Sequence, residues 1–239
     1  MIGWRARIGY IAPANAECSV YEFYKIIPEG VSLVVTCLSI KNLVPEEFES
    51  ALRKVDDAAI DLAKSEVDFI VLGGTPPAVF KGLGGDQEMI DRIEKATNIP
   101  TAFKLTGALA AFRHLGAKRL SMASPFNDEN NRKIKDFLEG SGFSVVNVRG
   151  LGIMSNMEIS RLPIYAPYQI ARRTVLENPE TDAIYIPCGA WTPAFIIDQL
   201  EKDFGLPVVT SNVAMIWYVF NALNLRGSIK GFGRLLEGL

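Results

Sequence analysis

The sequence contains little of what several common protein classes require. Its 239 residues include one histidine and three cysteines, and no C-x-x-C pair or Cys/His cluster occurs, so neither a zinc site nor a disulfide framework is expected. No block of basic residues occurs, which argues against a nucleic-acid partner. The longest apolar run, 213–220, is shorter than the roughly 20 residues that cross a bilayer, so no membrane span is expected.

Two further absences bear on location and on catalysis. The N-terminal residues lack the apolar core and cleavage site of a secretory signal, and unpaired cysteines suit a reducing compartment, so a cytoplasmic protein is expected. The glycines at 82, 84 and 85 lack G-x-G-x-x-G spacing, and no G-x-x-x-x-G-K-[ST] run occurs, so nucleotide binding is unsupported. His114 lies late in a predicted helix, and a hydrolase with a histidine base would depend on it alone.

The sequence does contain a regular alternation of strand-like and helical segments. Runs rich in Val, Ile and Leu, such as Ala6–Ala12 and Phe69–Gly73, alternate with helical patterns of about 10–15 residues, which is typical of parallel βαβ units. We predict an α/β fold of two pseudo-symmetric Rossmann-like (flavodoxin-like) domains with parallel sheets. Residues 1–105 plus 213–239 are assigned to the first domain and residues 106–212 to the second.

Two stretches of the chain share one design and indicate an internal repeat. In each, an aspartate is followed by an apolar strand and, six positions after the aspartate, by Gly74 or Cys188. A Thr-Pro pair follows both, and Thr192-Pro193 predicts a helix that starts there and ends at Gly205. Because ligands bind beyond the carboxyl ends of parallel strands, we expect Gly74 and Cys188 on opposite sides of one interdomain cleft.

Several local predictions accompany this scheme. One long helix is expected over 46–65, and Thr106 is expected to cap another. A strand at Val145–Val148 should give way to a loop over 150–156. Cys37 lies mid-strand among apolar residues and is interpreted as a packing residue, and Cys18 is given a structural role.

Cys188 is the leading candidate for chemistry, because a helix N-terminus close to a thiol favours the thiolate. Neutral polar side chains at strand ends could act as helix caps or could hold an anion at the cleft together with backbone N–H groups. Lys41 is the one cation that the sequence places in these loops. The neutral candidates are Asn15, Thr75, Ser124, Asn127, Ser211 and Asn212.

These loops, their spacing and the closing Gly231-Phe-Gly233-Arg234-Leu resemble the aspartate/glutamate racemase superfamily over nearly the whole chain. Within it, the chain looks most similar to the arylmalonate decarboxylase and maleate cis-trans isomerase branches. The resemblance implies an active site between two α/β domains and no metal or organic cofactor. Racemases of this superfamily use one cysteine from each domain, whereas the decarboxylase has glycine at the first position, as Gly74 and Cys188 have here.

The resemblance also implies roles for individual residues. Thr75 matches a hydroxyl that binds the retained carboxylate, with Gly189 in the loop beside Cys188. Pro76 stands where the decarboxylase has a serine, and Phe126 where it has a tyrosine. Asn15 and its loop look more like the isomerase, whose corresponding asparagine contacts a carboxylate. Ile40, Leu43 and Phe48 match the apolar pocket for the departing carboxylate, while Asn156 replaces an apolar wall residue and Ile159 keeps one.

Three functions remain open on this basis, each for a small mono- or dicarboxylate. The first is a cofactor-independent decarboxylase of a malonate-type, arylmalonate-like diacid, in which Cys188 protonates an enediolate intermediate on one face. The second is a maleate isomerase or an amino-acid racemase, for which Gly74 supplies no acid, base or nucleophile. The third is a catalytically silent protein that binds a carboxylate between two lobes.

Overall fold

The computed structural model describes residues 2–239 and contains two four-stranded, all-parallel sheets. The first sheet has the order β2-β1-β3-β4 and the second the order β6-β5-β7-β8, so the two halves share one topology. The predicted α/β class, with two pseudo-symmetric parallel halves, is confirmed. The strands of the first lobe are β1 (Ala6–Ala12), β2 (Val31–Cys37), β3 (Phe69–Leu72) and β4 (Thr101–Phe103). Those of the second lobe are β5 (Arg119–Phe126), β6 (Ser144–Ile153), β7 (Ala183–Ile186) and β8 (Val208–Thr210).

Helices follow most strands, as right-handed βαβ crossovers require. None of the helices within residues 2–239 combines the length and apolar character needed to cross a membrane. The first six are α1 (Glu17–Ile26), α2 (Pro45–Leu52), α3 (Val55–Lys64), α4 (Thr75–Val79), α5 (Gly85–Thr97) and α6 (Lys104–His114). The others are α7 (Asp128–Gly140), α8 (Asn156–Ser160), α9 (Ala166–Glu177), a 3-10 helix (Pro193–Ile196), α10 (Ile197–Phe204), α11 (Ser211–Ala222) and α12 (Arg234–Glu237).

Helices α6 and α11 join the two lobes. A Cβ on Gly107 of α6 would lie 2.9 Å from the carbonyl oxygen of Ala214 in α11, so only glycine permits this approach of the two backbones. The central strands β3 and β7 are buried along their whole length, as expected for parallel strands covered on both faces. The division of the chain into domains at 105 and 212 stays a prediction, since α6 and α11 pack together across it.

The internal repeat is visible in the hydrogen bonds that begin the strands. Asp68 precedes β3 and accepts a bond of 2.7 Å from the backbone N–H of Arg7 in β1. Asp182 precedes β7 and accepts one of 2.7 Å from the N–H of Arg119 in β5. Each aspartate therefore ties the start of one central strand to its neighbour.

A second repeated device carries each lobe from its last long helix into its last strand. The C-caps of α5 and α10 are Asn98 and Gly205, both in the left-handed region with φ of 57° and 67°. Glu94 then accepts from the N–H of Thr101, and Glu201 from that of Val208, at 2.8 and 3.0 Å. The same turn chemistry thus leads into β4 and β8.

Four local predictions were wrong. The helix expected over 46–65 is divided, because the N–H of Lys54 bonds to the carbonyl of Ala51, three rather than four residues back. Thr106 lies inside α6, which begins directly after β4 at Lys104. The expected loop over 150–156 is strand as far as Ile153, which pairs with Phe126 beyond a register shift. Cys37 is exposed at the end of edge strand β2, so it is not a packing residue.

Candidate active site

One cavity lies between the carboxyl ends of the two sheets and takes residues from both lobes. The empty space inside it, with the open mouth included, is about 510 Å³. Every predicted site residue lines this cavity except Phe48. Phe48 is 1% exposed and packs edge-to-face on Phe80, with ring centroids 5.6 Å apart. The predicted residues that line the cavity are Asn15, Ile40, Leu43, Gly74, Thr75, Pro76, Phe126, Asn156, Cys188 and Gly189.

Gly74 and Cys188 occupy equivalent positions, and both have left-handed backbone conformations. Their φ angles are 91° and 84°, a range that favours glycine and that strains a residue with a side chain. Gly74 thus keeps the relaxed form of this corner, whereas the second lobe holds a thiol there despite the strain. A non-glycine residue kept in such a conformation is typical of a functional site.

The thiol of Cys188 is protonated in its resting state. The residue is 8% exposed, its N–H donates to Ser211 Oγ at 3.1 Å, and its Sγ accepts from the N–H of Ala190 at 3.4 Å. Burial raises the pKa of this thiol to about 12, and the N–H of Ala190 and the Lys104 charge only partly oppose that. The net pKa shift is therefore upward, opposite to the one expected from a helix N-terminus, and the buried thiol suits a proton donor better than a resting nucleophile.

The helix start that motivated that expectation is also different. Pro193 opens a 3-10 helix, α10 begins only at Ile197, and the Thr192 side chain makes no capping bond. Instead, Glu22 of α1 accepts a bond of 2.6 Å from the N–H of Ala194. The cap comes from a residue 172 positions away, which local sequence patterns cannot reveal.

Lys104 is a cavity residue that the sequence did not predict, since Lys41 was the one cation that the sequence placed in the strand-end loops. It is 3% exposed, and its Nζ donates to Tyr10 Oη at 3.0 Å, Ser19 Oγ at 3.2 Å and Asn212 Oδ1 at 2.5 Å. Three acceptors match the three hydrogens of an ammonium group. A lysine between an apolar strand and an apolar helix was the available signal.

The carboxyl group of Glu22 is connected to this ammonium group through one intervening side chain, Asn212. Asn212 accepts from Lys104 through Oδ1 and donates through Nδ2 to the carboxylate of Glu22. Burial raises the pKa of Glu22 to about 7, against the lowering effects of its bonds to Asn212 and Ala194 and of Lys104. A bridged cation–amide–carboxyl cluster is therefore built from α1, α6 and α11, and Lys104 is its member that lines the cavity.

The polar side chains predicted at the cleft divide into two groups. Ser124 bonds to Asn131, and Asn127 caps α7 by accepting from Asn130, so this pair serves the fold. Ser211 holds the N–H of Cys188, and Asn212 belongs to the Lys104 cluster. Of these four residues, Ser211 therefore lines the cavity, and Asn212 contacts the cavity residue Lys104.

Asn15 and the neighbouring backbone offer polar groups to a ligand. Asn15 donates to Glu17 at 2.9 Å, while its Oδ1 is buried without a partner within residues 2–239. The backbone N–H groups of Gly74, Thr75 and Gly189 likewise make no hydrogen bond within that range. Buried polar groups without partners are costly, so a polar ligand would supply what they lack.

One wall of the cavity is a clasp between the lobes, formed by residues 40–44 and 154–156. Leu43 N–H donates to Met154 O at 2.8 Å, and Asn156 N–H donates to Lys41 O at 3.0 Å. The side chain of Asn156 adds a bond of 3.0 Å to Ile40 O. The apolar wall and Asn156 are therefore fixed together by contacts between the lobes.

The other residues considered from the sequence lie outside the lining of the cavity. His114 packs against Trp217 in a tilted arrangement, with ring centroids 5.0 Å apart. Cys18 is half-buried, and its thiol contacts the carbonyl of Ser160 at 3.8 Å. Burial raises the pKa of Cys18 to about 11. Ile159 is fully buried behind the clasp.

Known proteins are similar to this chain over nearly its whole length. The arylmalonate decarboxylase of Bordetella bronchiseptica is 25% identical over 234 residues, covering 96% of each chain. The maleate isomerase of Nocardia farcinica (strain IFM 10152) is 30% identical over 242 residues, covering 97% of this chain and 95% of its own. A crystal structure of a liganded arylmalonate decarboxylase mutant matches with a TM-score of 0.92 at 23% identity, over 98% of this chain and 100% of that one.

The family model described as arylmalonate decarboxylase matches residues 8–236. This match and the full-length coverage of both relatives confirm the resemblance stated from the strand-end loops. The fold, the two-lobed cavity and these similarities agree that the chain belongs to the arylmalonate decarboxylase family.

Proposed function

We propose that this protein is a cofactor-independent decarboxylase of a malonate-type diacid. The observation that carries the proposal is the asymmetry of the cavity, with a buried neutral thiol at Cys188 and a glycine at the equivalent Gly74. A single proton donor suits one-sided protonation of a planar intermediate. Racemisation requires an acid and a base on opposite faces of one carbon, and glycine can be neither.

The retained carboxylate is held by neutral donors. Thr75 and the free N–H groups of Gly74, Thr75 and Gly189 supply them, and they resemble an oxyanion hole. Pro76 and Phe126 bring no donor to the positions where the decarboxylase has a serine and a tyrosine. Each donor missing from such a site costs about 2.7–4 kcal/mol of stabilisation, so we expect the substrate to be bound differently from an aryl malonate.

The departing carboxylate faces the apolar wall. Ile40 and Leu43 line the cavity and are almost fully buried. An apolar surface desolvates the carboxylate, which weakens its ground-state solvation and favours loss of neutral carbon dioxide. The bond between the α-carbon and this carboxyl breaks, and its electron pair remains on the substrate as an enediolate.

Cys188 completes the reaction as the general acid. Its S–H proton moves to the α-carbon, the enediolate becomes a monocarboxylate, and the sulfur is left as a thiolate that solvent reprotonates. The raised pKa keeps the proton on sulfur until a strong base, the enediolate carbon, is formed beside it. One carbon dioxide and one chiral monocarboxylate result from each diacid that carries two different α-substituents.

The experiment is a proton-NMR assay of a panel of α-substituted malonic acids in deuterium oxide. We expect loss of at least one diacid, incorporation of one deuterium at the α-carbon, and product of one handedness. Cys188→Ala should lower the rate by about 10²- to 10⁴-fold. Cys37→Ala, at an exposed position on edge strand β2, is the matched control and should retain activity.

Two results would count against the proposal. If no malonate is consumed although carboxylates raise the melting temperature, the chain is a binding protein. If turnover survives Cys188→Ala, the proton comes from elsewhere.

Maleate isomerisation is the second candidate, and Asn15 and Asn156 favour it because carboxamides at the cavity suit a second carboxylate. The maleate isomerase of Nocardia farcinica is also 30% identical. The resemblance assigns the nucleophile of the isomerase to the first-domain position, which is Gly74 here. Conversion of maleate to fumarate that is abolished in Cys188→Ala would establish this activity in place of the decarboxylase.

A further inference from the structure

A chain of hydrogen bonds connects the ammonium group of Lys104 to the sulfur of Cys188. Lys104 Nζ donates to Ser19 Oγ at 3.2 Å, and Ser19 Oγ donates to the carbonyl of Gly189 at 2.8 Å. The peptide group of that carbonyl carries the N–H of Ala190, which donates to Cys188 Sγ at 3.4 Å. Every donor in this chain points away from the cation and toward the sulfur.

Such a sequence of bonds is cooperative in a low-dielectric interior. The ammonium polarises the Ser19 hydroxyl, the hydroxyl polarises the Gly189 carbonyl, and the polarised peptide becomes a better donor at Ala190 N–H. A hydrogen bond to a charged sulfur is stronger than one to a neutral thiol. The chain therefore stabilises the thiolate more than the thiol.

The loop after Cys188 is shaped for this contact. A Cβ on residue 189 would lie 2.5 Å from Ser19 Oγ, 2.7 Å from Asn212 Oδ1 and 3.0 Å from Lys104 Nζ. Only glycine lets the peptide approach the cluster so closely. Gly189, placed in the site from the sequence, thus has a reason to be glycine that is independent of any substrate.

We propose that Lys104 is a positioning residue for Cys188, whose charge reaches the sulfur through Ser19 and the Gly189–Ala190 peptide. The inference deepens the proposed function, since it explains how a buried thiol becomes acidic enough to give up its proton. Lys104 uses all three ammonium hydrogens on Tyr10, Ser19 and Asn212, so none is left to donate to a substrate.

Other titratable groups also act on Cys188. Cys18 and Glu22 of α1 raise its pKa, Lys104 of α6 lowers it, and the buried phenol of Tyr185 in β7 lies close enough to interact with it. The test therefore compares variants in which Cys18, Glu22 and Tyr185 are unchanged.

The readout is the rate of Cys188 alkylation by neutral iodoacetamide between pH 7 and 10, located by peptide mass spectrometry. This rate follows the thiolate fraction and needs no substrate. We expect Lys104→Met to react about tenfold more slowly at each pH, equal to about one pKa unit, and Lys104→Arg to restore most of the rate. Circular dichroism and melting temperature establish that each variant is folded.

Two further variants distinguish the effect of the hydrogen-bond chain from Lys104 to Cys188, here called the relay, from an effect on the access of iodoacetamide to Cys188. Ser19→Ala opens space beside Gly189, so an effect on access would speed alkylation, whereas loss of the relay slows it about threefold. Tyr10→Phe removes another acceptor of Lys104, whose own contact with Ser19 Oγ is the long bond of 3.4 Å, and its rate should stay within about twofold of the wild type.

The proposal is overturned if folded Lys104→Met reacts like the wild type, if Ser19→Ala is equally fast or faster, or if Tyr10→Phe slows as much as Ser19→Ala. These rates are independent of decarboxylation. A chain that shows the expected alkylation rates but consumes no malonate would refute the proposed function and leave the relay standing.

Discussion

At the scale of single residues, the corner shared by Gly74 and Cys188 sets what each lobe can contribute. Both have left-handed φ angles, and a Cβ on Gly74 would lie 3.1 Å from atoms of Pro13 and of Pro77. The first lobe therefore gains a side chain at this position only with strain and a small movement of prolines. In the second lobe, Cys188 already has this strained backbone conformation.

Gly74→Cys tests whether residues 74 and 188 face the same substrate carbon from opposite sides. We expect racemisation of an α-substituted monocarboxylate, because a second thiol adds a proton carrier on the opposite face. The strained φ should lower the free energy of unfolding by about 1–3 kcal/mol. Product handedness is followed by chiral chromatography and stability by urea titration.

Gly74→Ala is the matched control for that variant. It carries the same Cβ and the same backbone strain without a thiol, so it should lose stability equally and keep one-sided protonation. A folded Gly74→Cys protein whose product stays of single handedness would show that the two corners do not address the same carbon.

Glu22 predicts a pH dependence of stability. Burial raises its pKa from 4.5 to about 7, so the carboxyl is neutral below pH 4.5 in the folded and unfolded chain alike. Between these values the unfolded chain ionises first, and stability is lost as the pH rises through the window. The loss is on the order of 3 kcal/mol.

Glu22→Gln should lack this loss. We expect the difference in unfolding free energy between wild type and Glu22→Gln to fall by up to that amount from pH 4.5 to 7.5, measured in urea. Glu29→Gln, at an exposed position, controls for removal of a carboxyl elsewhere. A difference that stays constant across the window would show that Glu22 ionises normally in the folded protein.

Two residues of the cavity lining, Gly74 and Cys188, could be located from the sequence because their signal is local, whereas residues with distant partners could not. Cys188 and Gly74 stand out because an aspartate, a strand and a Thr-Pro pair frame each of them within a few positions. Lys104 was missed because its acceptors are 85 to 108 residues away. A buried lysine looks like a surface lysine until the fold brings Tyr10, Ser19 and Asn212 together.

At the scale of elements, the aspartates before β3 and β7 are comparable but unequal. Asp68 accepts from the N–H of Arg7, whose guanidinium group bonds to Ser65 O instead. Asp182 accepts from two backbone N–H groups and also from the guanidinium of Arg119 at 2.9 Å. In the first lobe the aspartate accepts only from the backbone of the neighbouring strand, whereas in the second lobe it also accepts from a charged guanidinium group.

Asp182→Asn should therefore destabilise the protein more than Asp68→Asn. The Arg119 side-chain bond is the main cause that lowers the pKa of Asp182 to about 2, and its carboxyl is 30% exposed. After allowance for solvent screening we expect a loss of about 1–2 kcal/mol at pH 7. This stabilisation is complete above pH 3.8 and is lost as the pH falls toward 2.

Urea unfolding of both variants at pH 7 checks the comparison, with Asp68→Asn expected to lose about 0.5–1 kcal/mol. Equal losses would mean that the guanidinium of Arg119 adds nothing to the backbone contacts. A repeat of the pair at pH 3 should bring Asp182→Asn closer to the wild type.

Element boundaries were predictable where turn chemistry is explicit. Strand β1 has the predicted ends, Ala6 and Ala12, and Gly205 ends α10 as expected from its left-handed cap. The boundaries that were predicted wrongly depend on contacts between segments that are distant in the sequence. Strand β6 continues through Gly150 and Gly152 because β5 lies alongside it, which sequence polarity alone does not indicate.

At the scale of the whole molecule, the clasp joins the lobes and closes one side of the cavity. Asn42 and Ser155 face each other there as an antiparallel bridge. The flanking bonds run from Leu43 to Met154 and from Asn156 to Lys41, so Asn42 and Ser155 form a non-hydrogen-bonded pair. Side chains are closest in such pairs, within reach of a disulfide.

Asn42→Cys/Ser155→Cys should therefore lock the clasp when oxidised. Because Ile40, Leu43 and Asn156 belong both to the clasp and to the cavity lining, we expect the lock to slow ligand exchange and to lower kcat/KM more than tenfold. Reduction with dithiothreitol should restore the rate, and each single variant should resemble the reduced protein. Cys188 and Lys104 lie on segments outside the clasp, so the lock should leave the thiol itself unchanged. Alkylation of Cys188 by iodoacetamide, with and without a bound carboxylate, therefore shows whether the oxidised protein is slow because ligands enter slowly or because its active site is damaged. Equal turnover of the oxidised and reduced forms would show that substrate enters elsewhere, and that the clasp serves only to hold the lobes together.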